Sequence, residues 1–199
     1  MGQVQRGRPR SFDAEAALSE ALNVFWEHGY EGASLALLTD AMGISRKSMY
    51  AAFGNKEDLF LRVLRLYEQG PGSYPRDAIA EQTAREVART YLEGAIQAGT
   101  QPGRPAGCLG VRAALAVGVT GENVQGILTA WRAKSQADLR TRFQQAIEEG
   151  DLPEDADADL ISRYLTTVAD GIAVQAQGGA DRETLRRVAA AALDNWPPA

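Results

Sequence analysis

The chain has 199 residues, of which 45% are hydrophobic and 24% charged, and it carries a formal net charge of −5 at pH 7. This composition is typical of a globular protein with a buried core and argues against bulk disorder. No apolar run approaches the roughly 18–20 residues that cross a bilayer, and no apolar stretch follows the basic first residues as it would in a secretory signal. We therefore expect a cytoplasmic protein that does not enter a membrane.

The scarcity of two residue types argues against catalytic and metal-binding functions. The sequence contains a single cysteine, Cys108, and a single histidine, His28. One cysteine excludes an intrachain disulfide and a zinc site built from cysteines, and a Ser-His-Asp triad would depend on His28. We expect no metal, no cofactor and no catalytic residues, and we retain an α-helical enzyme or carrier as the alternative from a different class.

The residue pattern predicts helices throughout the chain. β-branched residues are sparse, and apolar residues recur three and four positions apart. Asp13 can cap the first helix, and Gly29, Gly70 and Gly150 lie where helices are expected to end. The predicted fold class is therefore all-α with about nine helices, over residues 14–29, 34–42, 45–53, 56–69, 77–98, 108–117, 122–149, 157–177 and 182–195.

Residues 34–53, SLALLTDAMGISRKSMYAAF, have the pattern of two short helices joined by a tight turn. Ser34 and Ser45 can each cap a helix, and Gly43 permits the sharp turn between them. The spacing places the apolar residues inward and leaves polar residues outside, namely Arg46, Lys47, Ser48 and Tyr50. This pattern favours a helix-turn-helix, in which the second helix enters a DNA major groove.

Residues 10–60 resemble the N-terminal DNA-binding domain of TetR-family repressors. The resemblance rests on Ala21, Phe25, Gly29-Tyr30, Ser34, Leu38, Gly43-Ile44-Ser45 and the run Y-x-x-F-x-x-K-E-x-L at residues 50–59. One departure is Thr39, where many members have alanine. The resemblance implies a three-helix helix-turn-helix domain with a basic arm over residues 1–55. An effector-binding and dimerisation domain would follow over residues 56–199, in a ligand-responsive regulator, a repressor that a small molecule releases from its operator.

Two basic islands in this acidic chain, within residues 1–10 and 41–56, contain no acidic residue and predict a local polyanion contact. The resemblance implies a role for each candidate. Arg46, Lys47 and Ser48 would face bases, with the basic side chains suited to guanine. The phosphate contacts would come from Ser34, Ser45, Tyr50 and Lys56. Arg8 and Arg10 lie in an arm that would reach the minor groove.

The resemblance also implies a small apolar or amphipathic effector bound among the later helices. The predicted lining consists of inward-facing side chains, for each of which plain core packing is the alternative: Phe60, Leu64, Tyr67, Tyr91, Cys108, Arg112, Trp131 and Val168. Arg112 lies on an apolar helix and needs a partner there, either a carboxylate of the protein or one of a ligand.

Of the last two predicted helices, the first has an apolar face too wide for one core and the second a small-residue face that allows close approach. Together they predict a homodimer on a palindromic double-stranded operator, with burial within one subunit as the alternative. The predicted interface residues are Ile161, Tyr164, Leu165, Val168, Ile172, Leu185, Val188 and Ala192. A second regulatory alternative concerns Cys108, which opens an apolar helix whose dipole would stabilise a thiolate. Cys108 is therefore either an electrophile or redox sensor or a small buried hydrophobe.

Overall fold

The computed structural model describes residues 12–115 and 122–198, and within these ranges the chain forms ten helices and no strand. The helices are α1 (Ala14–Gly32), α2 (Leu35–Ala41), α3 (Arg46–Phe53), α4 (Lys56–Gln69), α5 (Tyr74–Ile79), α6 (Ala84–Gly99), α7 (Leu109–Leu115), α8 (Glu122–Glu148), α9 (Ala158–Gln177) and α10 (Arg182–Asp194). The predicted all-α class is confirmed. In the parts of the chain that are described, no helix is long and apolar enough to cross a membrane.

The N-terminal core lies between α1 and α4 and encloses the inner faces of α2 and α3. Asp13 caps α1 by accepting hydrogen bonds from the backbone N–H groups of Glu15 and Ala16. Gly29 has a φ of 69°, a conformation that favours glycine, and it bends the end of the helix as the sequence predicted. Beyond this bend, the ring of Tyr30 packs against the rings of Phe25 and Phe60.

One predicted helix is divided in the structure. The residue pattern predicts a single helix over residues 77–98, whereas α5 ends at Ile79 and α6 begins at Ala84. The Thr83 side chain and the Glu86 side chain cap each other's backbone N–H groups, which starts a new helix. Arg142 of α8 is almost fully buried and donates to the carbonyls of Glu81 and Gln82 at 3.0 and 2.7 Å. These hydrogen bonds satisfy two carbonyl groups at the break between α5 and α6.

The second core is formed by α5, α6, α9, α10 and the C-terminal half of α8. The first core includes, besides α1–α4, the apolar side of α7 and the beginning of α8, represented by Leu109, Ala113, Val124 and Leu128. The two cores therefore do not separate at a single point in the sequence, and the division into residues 1–55 and 56–199 stays a prediction.

Long-range hydrogen bonds join α1 to α7 and to the segment that precedes it. The Trp26 indole donates to the carbonyl of Gly107 at 3.2 Å, and Arg104 donates to the Asn23 side chain at 2.7 Å. Arg112 donates to the carbonyl of Glu27 near the end of α1. These hydrogen bonds attach α1 to α7, whose apolar side completes the first core.

Candidate nucleic-acid interface and ligand cavity

The two short helices α2 and α3 are each capped by the serine that the sequence indicated. The Ser34 hydroxyl accepts from the backbone N–H of Leu37 at 3.1 Å, and the Ser45 hydroxyl accepts from that of Ser48 at 3.1 Å. Gly43 in the turn has a φ of 64°. Because the caps satisfy N–H groups that helix ends leave free, both helices begin at defined residues.

The first turn of α3 presents two unpaired cations to solvent. Arg46 and Lys47 are exposed, and neither takes part in an ion pair within residues 12–115 and 122–198. Tyr50, one turn later, is 48% exposed, while Met49 and Phe53 on the opposite face are buried. The structure thus brings Arg46, Lys47, Ser48 and Tyr50 onto α3, whereas Arg8 and Arg10 lie outside the described residues.

Lys56 begins α4 and lies over an aromatic ring. Its Nζ is 4.4 Å from the ring centroid of Tyr30, a cation–π geometry. Burial lowers the pKa of Lys56, and the nearby carboxylate of Glu31 opposes that shift. In sequence, Tyr30 stands out only as part of a family motif. The contact of its ring with Lys56 depends on the bend at Gly29, and a pattern of apolar spacing does not reveal that bend.

Thr39, the departure from the family pattern, is accommodated within α2. Its hydroxyl donates to the carbonyl of Leu35 at 2.8 Å, which satisfies the polar group locally.

A cavity of about 90 Å³ lies next to the C-terminal end of α4. Four of the predicted lining residues surround it: Tyr67, Tyr91, Cys108 and Trp131. The other four lie away from this cavity, and their assignment to the effector site stays a prediction. Phe60 and Leu64 are buried in the N-terminal core, Val168 packs against the second core, and Arg112 reaches α1. The partner of Arg112 is a backbone carbonyl rather than the expected carboxylate.

The cavity has a polar wall that the sequence did not predict. It is lined from α8 and α9 by Arg132, Ser135, Gln136, Thr166 and Asp170, with Tyr74 added from α5. Arg132 and Asp170 form an ion pair, and burial raises the pKa of Asp170 while Arg132 opposes that shift. Burial also raises the pKa values of Tyr67, Tyr74 and Tyr91, so their hydroxyls are neutral hydrogen-bonding groups. Long helices crossing at one place bring these residues together, and no spacing along the chain signals that crossing.

The thiol of Cys108 faces this cavity but is not activated. Burial raises the pKa of the thiol, and the hydrogen bond from Tyr67 and the backbone N–H groups of Val111 and Gly110 only partly oppose that shift. The Tyr67 hydroxyl donates to Sγ at 3.4 Å. Arg104 and Arg112, the cations nearest to Cys108 in the sequence, donate hydrogen bonds to α1 rather than to the thiol. The expected thiolate stabilisation is therefore outweighed, which argues against the sensor alternative.

The outward faces of α9 and α10 differ from the predicted interface. Five predicted residues are buried inside the subunit's own core, at 8% exposure or less: Ile161, Leu165, Ile172, Leu185 and Ala192. They face inward in the single subunit because α9 is apolar on two sides and packing decides which side meets the core, so their assignment to the interface stays a prediction. Tyr164 and Val168 are half-buried. The exposed apolar residues are Leu160 at 43% and Val174 and Val188 at 46% each.

Comparison with known proteins identifies the fold and the family. The family model for bacterial regulatory proteins of the tetR family matches residues 17–63, and the tetracyclin repressor-like C-terminal domain matches residues 81–192. The HTH-type transcriptional repressor ComR of Escherichia coli K12 is 31% identical over 194 residues, which are 96% of this chain and 92% of ComR.

Solved structures agree with the sequence matches. A cysteine-substituted form of the TetR-family regulator CifR, complexed with 26 bp double-strand operator DNA, is 42% identical with a TM-score of 0.89, covering 96% of this chain and 100% of that one. A putative TetR regulator from Rhodococcus sp. RHA1 is 37% identical with a TM-score of 0.64, covering 94% and 100%. The chain therefore belongs to the TetR family of DNA-binding transcriptional regulators.

Proposed function

We propose that the protein is a repressor that leaves its operator when a small molecule occupies the cavity beside α4. The observation that carries this proposal is the position of α4 itself. Lys56 is the first residue of the helix and lies next to the helix-turn-helix. Tyr67, near the end of the same helix, lines the cavity. Because an α-helix is rigid over 14 residues, a ligand that displaces Tyr67 also displaces Lys56.

We infer that α3 reads the operator in the major groove. Arg46, Lys47 and Ser48 lie at the N-terminal end of α3, the part of a recognition helix that reaches base edges. Tyr50, Ser34, Ser45 and Lys56 would bind phosphates, Ser34 and Ser45 at helix N-termini, where N–H groups favour anions. Arg8 and Arg10 would add minor-groove contacts.

We infer a homodimer on a palindromic site, with the outer faces of α9 and α10 at the interface. Exposed or half-buried residues recur at alternating spacings of four and three along α9, at Leu160, Tyr164, Thr167, Gly171 and Val174. Such a stripe suits helix-on-helix packing between subunits. Val188 and Ala191 continue an exposed small-residue face on α10.

The cavity lining favours an uncharged amphipathic effector over a wholly apolar one. The aromatic wall offers apolar contact, while the hydroxyls of Tyr74 and Tyr91 and the side chains of Ser135 and Gln136 offer hydrogen bonds. The charged lining residues Arg132 and Asp170 already neutralise each other. A charged ligand would have to compete with that pair, whereas an uncharged one leaves it intact.

The proposal is tested by operator release. Operator sites are selected from a random duplex pool with the full-length protein, and release of a labelled site is followed by fluorescence anisotropy against a library of small uncharged amphipathic compounds. We expect effective compounds to lose potency when Ser135 or Gln136 is replaced by alanine, while DNA affinity without compound is unchanged. Release that is insensitive to every substitution in the cavity lining would contradict the effector site.

Tyr30 offers a separate test of the phosphate contact assigned to Lys56. In Tyr30→Leu the packing against Phe25 and Phe60 is largely kept, but the ring beneath the ammonium group is removed. An exposed cation–π contact contributes about 0.5–1 kcal/mol in each subunit, so the operator affinity of the dimer should fall about five- to thirtyfold. Tyr30→Phe is the matched control and should bind normally. In a Lys56→Ala background, Tyr30→Leu should have no further effect, and full additivity would show that the two residues act separately.

A further inference from the structure

A second space lies directly outside the cavity. This outer groove has a volume of about 430 Å³ and is lined by Glu68, Arg76, Ile79, Lys134 and Asp138, from the end of α4, from α5 and from α8. It shares Gly72, Pro75, Trp131 and Ser135 with the inner cavity. The two spaces are therefore neighbours, and the side chain of Trp131 lies at their common wall.

The indole of Trp131 is held differently on its two sides. Towards the interior it packs edge-on against Tyr67, at 6.3 Å between ring centroids, and against Gly110, where a methyl group would overlap the indole. Towards the groove, its Nε1 donates to the exposed carboxylate of Glu68 at 2.6 Å. The ring thus fits closely inside, but one exposed hydrogen bond holds it on the outside.

The other walls of the cavity are formed by buried aromatic rings and by an ion pair between two helices. Tyr67 and Tyr91 are almost completely buried in the packed helices. On the α8–α9 side, the ion pair between Arg132 and Asp170 joins the two helices. Moving Trp131 requires the loss of one exposed hydrogen bond and a side-chain rotation, whereas opening at Arg132 and Asp170 requires an ion pair to break and opening at Tyr67 or Tyr91 requires a buried ring to leave the core. Rotations of this kind are far faster than helix movements.

We propose that the outer groove is the entrance to the cavity and that Trp131 is its gate, held closed by Glu68. The purpose of such a gate rests on the effector site proposed above. The groove carries both charge signs, from Glu68 and Asp138 and from Arg76 and Lys134, so it presents no net field that would select ions of one sign. Solutes small enough to pass the indole reach Tyr67 and Cys108, and larger ones stay in the groove.

Cys108 is the natural reporter, because it lines the inner cavity and is the single cysteine of the chain. The full-length protein, without DNA, is treated with methyl methanethiosulfonate or with the bulkier N-phenylmaleimide, and labelling is followed by intact mass spectrometry. In Glu68→Ala and in Trp131→Phe, which removes the indole N–H, we expect labelling to accelerate by about three- to tenfold, the effect of removing one exposed hydrogen bond of ordinary net strength. In Glu68→Gln, whose amide oxygen still accepts, the rate should stay near that of the unaltered protein.

The matched control is Glu57→Ala. Glu57 is on the same helix and is also hydrogen-bonded to α8, through Asn123, but it lines neither space. Its replacement should leave the labelling rate unchanged. If the gate opens, the ratio of the labelling rate of the small reagent to that of the bulky one should stay higher than the ratio measured on a free thiol. Global unfolding would instead lower this ratio to the value of a free thiol. The acceleration should also hold at every pH tested, since a changed thiol pKa would instead shift the pH profile.

The gate would be refuted by unchanged labelling in Glu68→Ala and Trp131→Phe, or by equal acceleration in Glu57→Ala. Acceleration in Arg132→Ala alone would move the entrance to the seam between α8 and α9. Since labelling is measured without DNA, these outcomes leave the repressor proposal standing. Conversely, failure of every compound to release the operator would contradict the effector site without altering the labelling rates.

Discussion

Replacing Lys47 with alanine should weaken operator binding and also relax the preference for the operator over other sequences. Lys47 lies unpaired in the first turn of α3, the position from which a recognition helix reads base edges. A contact to a base edge contributes about 1–3 kcal/mol of discrimination in each half-site, so the ratio of specific to non-specific affinity should fall at least about tenfold. Fluorescence anisotropy with the selected operator and with a scrambled duplex measures both affinities.

Lys56→Ala is the informative comparison, because Lys56 is assigned to the phosphates. It should weaken binding to both duplexes alike and lower the slope of log affinity against log salt by about one for each phosphate that is no longer neutralised. Lys134→Ala, which replaces a lysine of α8 paired with Asp138, should change neither affinity nor slope. Equal loss of specificity in Lys47→Ala and Lys56→Ala would overturn the assignment of base and phosphate contacts.

Replacing Val174 with arginine should convert the protein to monomers and abolish high-affinity operator binding. Val174 is 46% exposed on the outer stripe of α9, so the substitution leaves the subunit's own core intact but introduces a charge at the proposed interface. Charges are depleted from interface cores because they lose their hydration there. A monomer holds one recognition helix instead of two, and operator affinity should then fall by several orders of magnitude towards the non-specific level.

Light scattering at micromolar concentration gives the oligomeric state, and anisotropy gives the affinity. The matched control is Ala137→Arg, which adds the same charge at an exposed position of α8 and should leave a dimer with normal DNA binding. Thermal unfolding of both variants checks that the subunit fold is kept. If Val174→Arg remains dimeric, the interface lies elsewhere on the molecule, and the outer stripe of α9 has no part in it.

The DNA-binding region could be read from sequence because its determinants are local. Capping by Ser34 and Ser45 and the positive φ at Gly43 act within a few residues. The same holds for the side chains of α3, since a helix of known phase fixes which ones point outward. Met49 and Phe53 therefore had to be buried, and Arg46, Lys47 and Tyr50 had to be exposed.

The cavity and the outward face of α9 were decided by tertiary packing. A helix that is apolar on two sides, such as α9, gives no local sign of whether Ile161 or Leu160 faces the core; packing against α6 and α8 decides it. The polar wall of Arg132 and Asp170 arises where two long helices cross, and its residues are 38 positions apart.

Sequence by itself thus determined the helical class, the caps and the exposed face of α3, since these follow from interactions between near neighbours in the chain. The break between α5 and α6, the placement of Lys56 over Tyr30, the lining of the cavity and the face available to a second subunit depend on how distant helices meet. Their free energy comes from burial and hydrogen bonds between residues far apart in the chain, which the periodicity of a single helix does not encode.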